Sequence, residues 1–276
     1  AARAAYEFRL ARNLHTMTAL AALAAAGRYD RVVTPNGGVL EFAAAYRVAE
    51  LLGLPCSTLE IHDRRYRVHA GQTVLALCQD YADAWQADEP HTYTPARDER
   101  VRHVLSGRAT GDWAEYFWRC QTAPPAPAEE LLGRLSLTAD RPLALLCANV
   151  AHDTVVLGRG RGFASMADWI RRTIELFAAR PDWQLVVRAH PGERVMVPDE
   201  SVESIVRAHC PDGLPPNVRL VLPGDPVNTY ALMTAAHVGL VYSSTAGLEM
   251  AASGLPVVVA GMAHYSDKGF TRDADT

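Results

Sequence analysis

Residues 241–273, VYSSTAGLEMAASGLPVVVAGMAHYSDKGFTRD, decide the fold of this chain. The apolar run that leads into this stretch, residues 237–242, predicts a buried strand. Residues 246–252 predict a short helix that Gly254 ends, and the valine-rich residues 255–260 predict the next strand. A strand, a helix and a second strand in this order indicate a βαβ unit of an α/β sheet.

Small hydroxyl side chains fill the connection between the predicted strand and the helix. Ser243, Ser244 and Thr245 suit the first positions of a helix, where backbone N–H groups and the helix dipole attract an anion. Glu249 follows about one helical turn later, where its carboxylate could accept from sugar or ribose hydroxyls but would repel a phosphate. The stretch therefore favours a nucleotide, with phosphate at residues 243–245 and ribose near Glu249. A capped helix in an ordinary βαβ unit remains the alternative.

A second polar stretch, LVVRAHPGE at residues 185–193, ends another predicted strand. Arg188 and His190 occupy alternate positions, so both side chains are expected on one side of the chain, with Glu193 beside them. Polar groups just past the carboxyl end of a strand lie where open α/β sheets bind ligands. The pattern predicts an ion-pairing cluster at a ligand site, and a structural histidine in a plain turn is the alternative.

These stretches together resemble the capsule polysaccharide biosynthesis family, bacterial glycosyltransferases of the two-domain GT-B architecture that include Kdo transferases. The resemblance extends over residues 143–273 and takes in LCANVAHD at 146–153, NVRLVLPGDPVNTYALM at 217–233 and HYSDKGFTRD at 264–273. It implies that the His-Pro turn contacts the donor phosphate, with His190 also a catalytic residue. The residues that it implies for donor nucleotide binding are Asn149, Arg188, His190, Ser243, Ser244, Thr245 and Glu249.

The first half of the chain predicts a second α/β unit, followed by irregular chain over residues 64–89. Its predicted elements are a helix, a strand, a helix and a strand over residues 10–26, 29–34, 40–52 and 55–61.

The proline-dense TAPPAPA at residues 122–128, continued by residues 129–137, disfavours helix and marks the domain boundary. We therefore expect two Rossmann-like, doubly wound domains that face a cleft. The N-terminal, acceptor-side domain would cover residues 1–135 and the C-terminal, donor domain residues 136–276. The chain stops at Thr276 directly after a motif, which favours a truncated second domain in a longer protein.

Polar residues also follow the two predicted strands of the first half. The Asn36-Gly37-Gly38 turn resembles the family's Asn-Gly turn, which implies acceptor contacts by Asn36 and Gly37, although the family usually has Arg where Gly38 stands. The family has a glutamate where Glu60 ends the next strand, and Glu60 is the candidate for the catalytic base. A plain turn and a solvated loop of mixed charge remain the alternatives.

Composition narrows the classes of function. With 276 residues, 49% hydrophobic and 21% charged, the chain is globular, and its net charge of −4 gives no support for a nucleic-acid partner. Its five cysteines form no CxxC pair, which indicates reduced thiols in a cytosolic protein. No His/Asp cluster has the spacing of metal ligands, and we identify no Asp-x-Asp of the metal-dependent transferase type. We therefore expect neither a metal nor another cofactor.

The resemblance implies a glycosyltransferase that uses a nucleotide-sugar donor and a saccharide or lipid-linked saccharide acceptor to build a bacterial capsule or surface polysaccharide. It implies a cytoplasmic location for the protein. Peripheral association with an export complex at the inner face of the membrane is left open. The His-Pro and Ser-Ser pairs are similar to those of bacterial sialyltransferases, which favours a CMP-activated acidic sugar such as Kdo. The alternatives are a nucleotide-sugar epimerase, a non-catalytic sugar-binding module, and a teichoic-acid-type polyol phosphotransferase, which usually has Asp where Glu249 stands.

Overall fold

The computed structural model describes residues 2–27, 29–61, 68–72, 75–76, 81–87, 93–110, 123–151, 153, 155–156, 158–196 and 200–274. The chain forms two compact units, Ala1–Asp83 and the described residues from Ala84 onward. Each unit has its own sheet, of three strands in the first and six in the second. The predicted α/β class with parallel sheets is confirmed. The predicted boundary between residues 135 and 136 stays a prediction.

The first unit contains the predicted βαβ unit. Its elements are α1 Ala2–Ala25, β1 Val32–Pro35, α2 Leu40–Leu51, β2 Cys56–Ile61 and β3 Val68–Gln72. Strands β1 and β2 are parallel, as a helix crossover requires, and β3 adds to β2 in the antiparallel sense. Strand β3 corrects the expectation of irregular chain over residues 64–89, because VHAGQ carries too few β-branched or aromatic residues to stand out as a strand.

The second unit is built from alternating strands and helices. Its elements are α3 Ala82–Ala87, which begins at the end of the first unit, then α4 Pro95–Thr110, α5 Ala128–Arg134, β4 Leu143–Cys147, α6 Met166–Ala178, β5 Gln184–Arg188, α7 Glu193–Met196, α8 Val202–His209, β6 Val218–Val221, α9 Thr229–Ala235, β7 Val238–Val241, α10 Ala246–Ala252, β8 Val257–Val259 and β9 Arg272–Asp273. The strands lie in the order β6-β5-β4-β7-β8-β9, and every neighbouring pair is parallel.

Helices cover both faces of the six-stranded sheet. Side chains of α6 and α8 pack with one set of strand residues, among them Leu146, and those of α5, α9 and α10 pack with the alternate set, among them Leu145. Both leucines are fully buried. Because helices cover both faces of this parallel sheet, β4 and β5 are buried along their whole lengths. The predicted doubly wound arrangement is confirmed for this sheet.

Helix α5 corrects the expectation that residues 129–137 continue the proline-rich connection. Pro127 directly precedes the helix, a position where a proline interrupts no helical hydrogen bond. Leu131 and Leu132 are buried against the sheet unit, and this burial stabilises the helix that composition alone disfavoured. Among the described helices, none is both long enough and apolar enough to cross a membrane.

Candidate functional site

The ends of strands β4 and β7 meet at the carboxyl edge of the six-stranded sheet. These strands are neighbours, with Cys147 opposite Val241. Just beyond them, the Asn149 side-chain oxygen accepts a hydrogen bond from the Ser243 N–H at 3.2 Å. Both residues are buried, at 7% and 9% exposure. The structure thus brings together two of the residues expected to bind the donor, although 94 positions separate them.

His190 follows β5 at the same edge and is held within its own turn. The Gly192 N–H donates to His190 Nδ1 at 3.0 Å. Burial lowers the pKa of His190 and the positive charge of Arg188 acts in the same direction, while the Asp153 carboxylate opposes them. Because β5 pairs directly with β4, His190 follows the strand end next to the one that Asn149 follows.

Arg188 and Glu193 do not form the predicted ion-pairing cluster with His190. The Arg188 guanidinium is buried and donates to Thr229 Oγ1 at 3.2 Å and to the Leu222 carbonyl. These bonds tie β5 to the chain around α9, and the desolvated guanidinium has a lowered pKa.

Glu193 is held by backbone groups. Its Oε1 accepts from the N–H groups of Ala151 at 3.5 Å and Val202 at 3.3 Å, and burial raises its pKa. Backbone donors replaced the expected ionic partners because this carboxylate lies under the start of α8, where N–H groups lack helical partners.

The hydroxyl residues after β7 are engaged with the protein backbone. Ser243 Oγ donates to the Val155 carbonyl at 2.9 Å, and Ser244 Oγ accepts from the Ala246 N–H at 3.2 Å. Thr245 stands at the N-cap position of α10, but its side chain makes no capping hydrogen bond. Ser244, one position earlier, therefore provides the cap expected from this hydroxyl-rich connection, and the Thr245 side chain stays exposed.

Two described residues of the second unit, Arg108 and Tyr230, bind the Glu249 carboxylate. Its Oε1 accepts from Arg108 Nη1 of α4, and its Oε2 accepts from the Tyr230 hydroxyl of α9 at 3.0 Å. The carboxylate side chain is only 9% exposed and the arginine side chain 23%. Burial together with the Glu249 charge raises the pKa of Tyr230. The predicted ribose contact would have to share this carboxylate with Arg108 and Tyr230.

Tyr265, in the motif at residues 264–273, supports the Ser244 turn by a hydrogen bond. The Tyr265 hydroxyl donates to the Ser244 carbonyl at 2.5 Å, and the tyrosine is 2% exposed. Burial raises the pKa of Tyr265. A Cβ on Gly247 would lie 2.2 Å from this hydroxyl, so the glycine is required by the close approach of the tyrosine.

The first unit holds the residues predicted to contact the acceptor. Asn36 follows β1, and its side-chain oxygen accepts from the N–H groups of Gly38 at 3.0 Å and Val39 at 3.2 Å. Gly37 has a φ of 78°, and a Cβ there would lie 2.7 Å from Thr58 Cγ2. These bonds explain Asn36 and Gly37 as turn-forming residues, and their contact with an acceptor stays a prediction.

Glu60 lies near the carboxyl end of β2, opposite His69 of β3. Its Oε1 accepts from the Ile61 N–H at 3.3 Å. The polar residues that follow it, His62, Asp63 and Arg64, lie outside the described residues. Its role as base stays a prediction.

Four residues of this region were missed by the sequence reasoning: Gly192, Arg108, Tyr230 and Tyr265. Gly192, Tyr230 and Tyr265 lie inside motifs quoted above, and the local signal for Gly192 was a glycine two positions after a histidine. No local pattern marks Arg108, because its partner Glu249 is 141 positions away. Within the described part of the chain, no group of three or more His, Cys, Asp or Glu side chains could hold a metal ion.

Comparisons with known proteins agree with this architecture. No curated protein matches the chain. KpsC from Thermosulfurimonas dismutans, a beta Kdo 2,4 transferase, superimposes with a TM-score of 0.57 at 18% identity, over 89% of this chain and 73% of its own. A second KpsC structure from the same organism, a beta Kdo 2,7 transferase, gives a TM-score of 0.51 at 14% identity, over 92% of this chain and 72% of its own.

At such identities these two structures show a shared fold. The family described as capsule polysaccharide biosynthesis protein matches residues 117–276, which is more than half of the sequence and includes Asn149, His190 and residues 243–249. The chain therefore belongs to the capsule polysaccharide biosynthesis protein family.

Proposed function

We propose that this chain is a glycosyltransferase that moves a sugar from a nucleotide-sugar donor, CMP-activated Kdo or a similar acidic sugar, to a growing bacterial capsule or surface polysaccharide. One observation carries the proposal. Asn149, His190 and Ser243 follow three adjacent parallel strands at one carboxyl edge, inside the range that the family matches. Open α/β sheets bind their ligands at this edge.

The reaction breaks the bond between the anomeric carbon of the sugar and the donor phosphate oxygen, and it forms a bond from that carbon to an acceptor oxygen. Negative charge grows on the departing phosphate, where hydrogen-bond donors stabilise it. In this proposal the donors are His190 and the Ser243–Thr245 turn. The acceptor hydroxyl loses its proton to a base, for which Glu60 is the candidate. Nucleoside monophosphate is the leaving group.

The choice of Kdo and CMP rests on two resemblances. The two KpsC structures that share the fold are Kdo transferases. The His-Pro pair at 190–191 and the Ser-Ser pair at 243–244 resemble those of sialyltransferases, which also use CMP-activated acidic sugars. The acceptor would be a saccharide or a lipid-linked saccharide in the cytoplasm, at the inner face of the membrane that exports it.

Nucleotide binding and transfer test the proposal in sequence. We expect CMP to raise the melting temperature of the chain more than UDP, GDP or CDP at equal concentration, because a ligand of the native state stabilises it by mass action. With CMP-Kdo, we expect CMP release that depends on an added capsule saccharide.

His190→Ala should remove both effects. The matched control is His209→Ala, which changes a histidine at the end of α8 that pairs with Glu175 at 3.4 Å. It should leave both effects intact. A stronger shift with UDP would overturn the choice of donor. The absence of a shift with every nucleotide, or an epimerised sugar as the product, would overturn the transferase.

A further inference from the structure

We propose that Gly192 is a positioning residue that holds His190 as the neutral imidazole with its proton on Nε2. In this form His190 offers a hydrogen-bond donor to an anionic ligand oxygen and takes no part in proton transfer. The identity of the ligand rests on the proposed function, but the tautomer of His190 does not.

The hydrogen bond within the turn decides where the imidazole proton lies. The Gly192 backbone N–H is a donor, and it points at His190 Nδ1 from 3.0 Å. Nδ1 must therefore present a lone pair, because a hydrogen on Nδ1 would lie against the hydrogen of the Gly192 N–H. A neutral imidazole with a lone pair on Nδ1 carries its proton on Nε2. Within the described residues, Nε2 has no protein partner.

Only glycine leaves room for this arrangement at position 192. A Cβ there would lie 2.8 Å from His190 Nδ1 and 3.1 Å from its Cε1. The φ of Gly192 is not in the left-handed region, so the backbone conformation does not require glycine. The requirement comes from the imidazole ring, which a larger residue would displace from the N–H that it accepts.

The charged groups around the imidazole favour its neutral form. Burial is the largest influence and lowers the pKa of His190, and the Arg188 charge lowers it further. Asp153 is the opposing group. Glu193, the carboxyl at the start of α7, is engaged with the Ala151 and Val202 N–H groups, and its own pKa is raised by burial.

This state limits what His190 does in the reaction. A neutral imidazole protonated on Nε2 has no lone pair there, so that nitrogen is not a base, and Nδ1 is occupied by Gly192. Nor does such an imidazole give up its proton, which would leave an imidazolate. His190 would stabilise charge on a phosphate oxygen by hydrogen bonding alone, as neutral histidines do at other electrophilic sites. The proton of the acceptor hydroxyl must then go to another group.

Nitrogen NMR of the chain labelled with ¹⁵N-histidine tests the tautomer directly, without a nucleotide. The chain has ten histidines, and the signals lost in His190→Gln identify those of His190. We expect a protonated Nε2 and an unprotonated Nδ1 at pH 7.5, and the same pattern as the dominant form at pH 6.5, the ordinary midpoint of a histidine. A proton on Nδ1 or on both nitrogens at pH 7.5 would overturn the proposal.

A pair of glycine variants tests the role of Gly192. Gly192→Ala should disturb the tautomer signature and weaken CMP binding about tenfold, the effect of losing one hydrogen bond to a charged group. Gly133→Ala in α5, where a Cβ meets nothing within 4 Å, is the control and should change neither.

An unaltered tautomer and unaltered affinity in Gly192→Ala would contradict the positioning role. If this variant does not fold, the spectrum of the unaltered chain still decides the tautomer. If CMP fails to bind the unaltered chain, the proposed function fails while the tautomer result stands.

Discussion

Two turns at the same edge of the six-stranded sheet hold their polar side chains in different ways. In the turn at residues 190–193, His190 accepts from Gly192, two positions away. In the segment at residues 243–249, the Ser244 carbonyl is bound by Tyr265, 21 positions away, and Glu249 by Tyr230 and by Arg108, the latter 141 positions away. The first turn is organised locally, and the second depends on packing with distant parts of the unit.

The difference separates a group that is available to a ligand from groups already used to hold the fold. His190 keeps one ring nitrogen without a partner among the described residues. Glu249 is buried and binds Arg108 and Tyr230, and removing one member of a largely buried charged pair is strongly destabilising. Changes in the first turn should therefore alter binding, whereas changes in the second should first alter stability.

Glu249→Ala should have the largest effect and sharpens the comparison most. We expect the free energy of unfolding to fall by roughly 3 kcal/mol, because the buried Glu249 carboxylate is lost and the half-buried Arg108 and Tyr230 each lose a hydrogen-bond acceptor. Urea unfolding measures the change. The control is Glu203→Ala, which breaks an exposed pair with Arg207 one turn away on α8 and should change stability by less than about 0.5 kcal/mol. Equal effects of the two changes would mean that Glu249 does not anchor this segment.

Gly247→Ala should have the second largest effect. The added Cβ would meet the Tyr265 hydroxyl at 2.2 Å and Val241 Cγ2 at 2.8 Å, so a buried side chain or the helix must shift. Overpacking of this kind destabilises by about 2 kcal/mol. Gly224→Ala, where a Cβ meets nothing within 4 Å, is the control. Thermal unfolding of both variants measures the difference, and an unchanged midpoint for Gly247→Ala would show that the Tyr265 contact is loose.

Tyr265→Phe keeps the ring and removes only the hydroxyl that binds the Ser244 carbonyl. This carbonyl also accepts from the Gly247 N–H, so it stays partly satisfied. We expect a loss of about 1 kcal/mol in the free energy of unfolding, the usual net value of one hydrogen bond. Tyr29→Phe, at an exposed position, should be neutral. Chemical denaturation of both variants is the measurement, and a loss no larger than that of Tyr29→Phe would remove Tyr265 from the support of this turn.

The pH dependence of stability should show the smallest effect, and it concerns the first turn. Burial lowers the pKa of His190 below that of the unfolded chain, so the unfolded chain binds this proton first as the pH falls. Stability contributed by the neutral imidazole is therefore complete above the ordinary value of 6.5 and is lost as the pH falls below it.

His190→Gln should lose less stability than the unaltered chain between about pH 7.5 and about pH 5.5. Urea unfolding of both proteins at the two pH values measures the difference. Parallel losses in the two proteins would contradict the burial of His190.

Much of the second unit could be predicted from the sequence because its elements carry strong local signals. The apolar run before Ser243 gave a strand and Gly254 a helix end, and both are present, with φ of Gly254 at 82°. The spacing of Trp169, Ile174 and Phe177 is that of the apolar face of an amphipathic helix, and all three are buried in α6. A weak signal accounts for the corrected element of this unit, because α5 follows prolines.

The sequence alone determined which residues follow the ends of the strands, because each strand is marked by its own apolar residues and each turn by its own glycine, proline or hydroxyls. Only the tertiary structure decided which strand ends are neighbours and which side chains are already paired. Strand order places Asn149 beside Ser243, and packing brings α4 with Arg108 to Glu249. The physical reason is that hydrogen bonds and buried charges join groups by distance in space, which the order of residues along the chain does not specify.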